Sequence, residues 1–95
     1  MNLSYVNGNK RIVILMKSDE SKLVSFRAMV ADEAQKVEFP ILYGHEQHEC
    51  TFFMVDPEVD VLRAQHEDDR DFHLACLEHA NVTIGEHFLG NASLA

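Results

Sequence analysis

The sequence predicts an α+β fold, with a small, mostly antiparallel sheet covered by one or more helices. Three observations carry that expectation. Residues 37–55 hold two apolar, β-prone runs around a polar stretch that begins at Gly44, which is the pattern of a hairpin. Residues 11–17 place Ile12, Val13, Ile14, Leu15 and Met16 in succession, as in a strand buried on both faces. Asp56-Pro57-Glu58 is a helix start, with Asp56 as the cap and Pro57 at the first helical position.

Taken in order, Leu3, Tyr5 and Val6 precede Asn7-Gly8, a strong turn signal. Residues 3–6 are then either a short strand paired with the next one or a frayed end. The strand at 11–17 is central. A helix is expected over 19–35, where Leu23, Phe26, Val30 and Ala34 form a helical stripe among good helix formers. Val24, Phe26, Ala28 and Val30 also alternate, so a strand meander is the alternative. Strands follow at 36–43 and 50–55. Pro40 cannot donate a ladder hydrogen bond, which places it at an edge or a bulge. A helix is expected over 57–80, in which the acidic run at 67–71 is either a break or an exposed middle. Residues 90–95 read as a loose tail. The expected core is Ile12, Ile14, Leu15, Leu23, Phe26, Val30, Phe39, Ile41, Phe52, Met54, Leu62, Phe72, Cys76 and Leu77.

Ninety-five residues, 46% of them hydrophobic, make one compact domain with a modest core. Sixteen acidic side chains stand against eight basic ones, for a net charge of -8. That balance disfavours direct binding to nucleic acid or to an anionic membrane, since both require positive charge near phosphate. The run at 12–16 is too short for a membrane span or a signal-peptide core. Two cysteines do not make a disulfide framework. Together these features point to a reducing, cytoplasmic setting.

Chemistry-bearing side chains gather in the second half, where all six histidines lie. One group is His45, His48 and Cys50, with Glu46 and Glu49 between them, at the hairpin turn. The other is His66, Asp69, His73 and Cys76, with His79 nearby. Spacings of three, four and three put the latter four on one stripe of a continuous helix. Imidazole, thiolate and carboxylate suit a divalent metal such as zinc. Residues 66 and 76 are about 15 Å apart along a helix axis, so the four do not all reach one ion. No cofactor is otherwise indicated. His48 and Cys50 are two apart and share a strand face, so a Cys/His enzyme site is a second alternative. Its third, orienting group is not fixed among His79, Glu49 and Asp56.

No phosphate-binding Gly-rich loop, nucleophile elbow or Cys-x-x-Cys pair is present. The leading functional expectation is therefore a protein-interaction or regulatory module. It would take a protein partner or a second copy through a sheet edge near residues 37–43, most simply as a homodimer. A narrower version is a nucleic-acid mimic whose carboxylates are Glu58, Asp60 and those of residues 67–71.

Overall fold

The computed structural model describes residues 3–44, 46–87 and 91–95. The chain runs β1 (Leu3–Asn7), β2 (Lys10–Met16), α1 (Glu20–Met29), β3 (Lys36–Tyr43), β4 (His48–Val55), α2 (Glu58–Gln65), α3 (Asp69–His87) and β5 (Ala92–Leu94). The strands form one antiparallel sheet in the order β1-β2-β4-β3-β5. The middle strand is β4, flanked by β2 and β3, and β2 is the run that the sequence marks as buried on both faces. Ile12, Ile14, Phe52 and Met54 face α2 and α3, together with Val37, Phe39, Ile41, Phe72, Cys76, Leu77, Ala80 and Ile84. Val13, Leu15, Phe53 and Val55 face the other way, toward Leu23, Phe26 and the fully buried Val30. Phe26 lies against Phe53 at a ring-centroid distance of 4.9 Å. Sandwiching the centre of the sheet between helices is why β2 and β4 read as continuous apolar runs. In β3 only alternate residues are buried, because α1 does not extend over that strand's outer face.

The structure decides two points that the sequence left open, the strand at the start of the chain and the break in the long helix, and it moves the ends of α1, α3 and the chain. Residues 3–7 are a strand paired with β2 through the turn at Gly8, whose φ of 58° suits glycine. The helix over 19–35 stops at Met29, because Val30 turns into the core and Glu33 pairs with Arg11 of β2. The long helix is two. Asp68 accepts the Asp71 amide at 3.1 Å and so caps a new helix, α3, which runs past Ala80 and Gly85 to His87. Arg63 locks the joint by bonding the Glu67 carbonyl and the Asp69 carboxylate, each at 2.9 Å.

The largest difference is at the end of the chain. Ala92–Leu94 pairs with β3 over Ile41–Tyr43, where the sequence suggests a tail and an open edge. Pro40 sits just outside that pairing, so its missing N–H removes no bond to β5. The Gly44 amide donates to the Asn91 carbonyl, which makes Tyr43 and Ala92 a non-hydrogen-bonded pair. Ala92 therefore turns its own N–H and C=O away from β3. Asn81 of α3 takes both: its side-chain oxygen accepts the Ala92 N–H at 3.1 Å, and its side-chain NH2 donates to the Ala92 carbonyl at 2.7 Å. One carboxamide thus does the work of a neighbouring strand and blunts the new edge. Asn81→Ala is expected to lower stability by about 1–2 kcal/mol, the cost of leaving these partners unmade. It should also speed amide hydrogen exchange at residues 92–94, and normal protection there would contradict the assignment.

Candidate functional site

The polar centre of the molecule is Asp56, at the end of β4 and only 1% exposed. Its position follows from strand alternation: Asp56 continues the inward row of Phe52 and Met54, and so carries a carboxylate into the space under α3. Three groups meet it there. The Glu58 amide at the start of α2 donates to Oδ1 at 2.9 Å. His79 Nε2 lies 2.8 Å from Oδ2, and the Lys10 ammonium lies 3.8 Å from the same oxygen. A carboxylate oxygen accepts, so in this contact Nε2 of His79 is the donor. One side chain thereby ties together β2, β4, α2 and α3.

A carboxylate bonded to an imidazole is also the orienting half of a nucleophilic triad. Cys76 is the thiol nearest along α3, one turn before His79. It is wholly buried, and burial pushes its pKa up to about 11, with Arg63 pulling it down and Asp56 pushing it further up. A thiol held this firmly in its protonated form is the wrong state for a nucleophile. Cys50, also buried, has a pKa raised by the same cause. Its thiol donates to the backbone carbonyl of His48 at 3.5 Å, while the His48 ring lies 3.4 Å from the Glu46 carboxylate. The strand thus brings Cys50 and His48 to one neighbourhood without a thiol–imidazole contact among the described residues. His45 lies outside those residues.

The helix break separates His66 from the rest of the metal stripe, while Asp69, His73 and Cys76 stay together on α3. His66 closes α2 in an extended conformation. Asp69 starts α3, is 82% exposed along its side chain, and pairs with Arg63. His73 stacks on Phe39 with centroids 4.5 Å apart and rings 16° from parallel. Cys76 points into the core. Among the described residues, no group of three or more His, Cys, Asp and Glu side chains stands close enough to hold an ion. In the acidic run, Asp68 caps α3 and Asp69 pairs with Arg63, so two of its four carboxylates serve the fold. No helix among the described residues is long and apolar enough to cross a membrane.

A feature missed in the sequence lies on the other side of α3. Leu74 and Val82 are 43% and 63% exposed. They line an open groove of about 540 Å³ with Leu77, Glu78, Ala92 and Leu94. The signal was available as two apolar residues eight apart, but only the seating of α3 shows that they face outward. Comparison of the chain with family models, with curated proteins and with solved structures finds no match.

Proposed function

We propose that this chain is a protein-interaction module that docks through the outer face of α3 and the adjoining groove beside β5. The observation that carries the reading is the exposure of Leu74 and Val82 along an apolar groove on an otherwise acidic chain. Grouped, exposed apolar residues with a polar rim mark interaction surfaces. Two further features support it. The Asp56 carboxylate already has three structural partners, and both thiols are buried with raised pKa values. The sheet edge beside this groove favours helix docking over strand addition. β5 covers part of β3 and is itself covered at Ala92 by Asn81, while Pro40 and Glu38 blunt the remaining stretch of β3.

A photo-crosslinking side chain at position 82 is expected to give protein adducts, and Leu74→Asp should remove them. The same probe at Val24, exposed on α1 across the sheet, should give none. The reading fails if position 82 yields no adduct or if the two positions react alike.

A further inference from the structure

Resting on that reading, we infer that the occupant of the α3 face is a second copy of this chain, with the two α3 helices crossing about a two-fold axis through Glu78. Arg70, Leu74, Glu78, Val82 and Glu86 are all exposed and spaced by four, so they form one continuous ridge diagonally across the outer face. Glu78 is its midpoint, directly opposite the buried side formed by Phe72, Cys76, Leu77, Ala80 and Ile84. Ridges of this kind pack against each other at a crossing angle of about −50°. A two-fold axis at Glu78 sets Leu74 of one protomer beside Val82 of its partner, and Arg70 beside Glu86, each twice.

The argument for self-pairing is charge. Two chains of net charge -8 repel, so a face suited to a second copy must match its charges locally. Arg70 and Glu86 lack an ion-pair partner among the described residues, and the two-fold axis supplies one to each. The contact is isologous, and therefore closed at two subunits. Its one opposing feature is the meeting of Glu78 with its own copy.

Sedimentation of the intact chain is expected to show a reversible dimer of twice 10.8 kDa, with a dissociation constant in the micromolar range typical of a small interface. Arg70→Glu and Glu86→Arg should each weaken it about tenfold, and the double charge swap should restore it. Thermal melting at a concentration well below the dissociation constant, where every chain is monomeric, should be unchanged in all three, since both positions are exposed. Glu78→Cys should form a disulfide-linked dimer rapidly on mild oxidation, whereas Val24→Cys should not. A monomer at every concentration, a dimer indifferent to Arg70→Glu, or no linkage through position 78 would overturn the inference. If a different protein were crosslinked at position 82 while the chain stayed monomeric, the dimer would fall and the interaction reading would stand.

Discussion

Replacing Asp56 by alanine is expected to lower the stability of this protein by about 3–5 kcal/mol, the scale for removing one member of a buried charged pair. Domains of this size have about 5–15 kcal/mol in total, so the variant should sit near its unfolding threshold. The loss has three parts. Glu58 loses the acceptor that starts α2, a capping loss of about 1 kcal/mol. His79 is left with a ring N–H aimed at an empty space under α3. Lys10 loses its nearest carboxylate, a lesser effect because its own side chain is partly exposed.

Two companion variants separate these parts. Asp56→Asn keeps an oxygen for the Glu58 amide and should lose less than Asp56→Ala. His79→Ala should also lower stability, since it leaves the buried Asp56 carboxylate without its nearest side-chain partner. The double variant should show a coupling of about 1–3 kcal/mol between the two sites. Urea unfolding of the wild type and the four variants measures all of this. Coupling near zero would mean that the 2.8 Å contact contributes nothing to folding.

Asp56 also shows where the sequence was readable and where it was not. Asp56-Pro57-Glu58 announces a helix start because capping is local: donor and acceptor lie two residues apart. The hairpin was legible for the same reason, since Gly44 takes a positive φ between two β-prone runs. The apolar run in β2 announced its central place because burial on both faces leaves no alternation. What could not be read depends on contacts across the chain. His79 meets Asp56 from 23 residues away, and Asn81 reaches Ala92 across a change of element. Neither side chain carries a local mark of its role. The early end of α1 belongs to the same class: no glycine or proline stops it, and Val30 leaves the helix for the core.

The histidine stripe rested on a continuous helix, and the chain makes two. Its spacing was sound for an uninterrupted helix, and the acidic residues that interrupt it were visible. The decisive detail is that Asp68 turns its carboxylate back onto the Asp71 amide, making a cap out of what composition presents as a solvated run. Once α2 and α3 are separate, His66 and Asp69 no longer share a helix, and His73 takes an aromatic neighbour, Phe39, in place of a polar one. On the outer face the difficulty was reversed. Leu74 and Val82 received no role from the sequence, because only the seating of α3 shows that their side of the helix is left uncovered.

The second large effect is expected in alkali. Burial raises the Cys76 pKa from 9.0 to about 11, so the native state holds this proton more tightly than the unfolded chain does. Stability from this group is complete below pH 9 and is lost as pH rises from about 9 to about 11, because the unfolded thiol ionises first. The gap corresponds to roughly 3 kcal/mol in all. Cys50 and Tyr43 push in the same direction, both raised chiefly by burial. Lys17, raised by its hydrogen bond to Glu49, adds to the loss only higher, above its ordinary 10.5. Urea midpoints taken between pH 8 and pH 11 should therefore fall steadily in the wild type. Cys76→Ala starts less stable, since it removes a buried sulfur from the packed face beneath α3, but its decline should be clearly shallower, with Cys50 and Tyr43 supplying what remains. A variant that declines as steeply as the wild type would remove Cys76 as the source. The same burial that makes the thiol a poor nucleophile at neutral pH thus makes it the group whose ionisation the fold tolerates least.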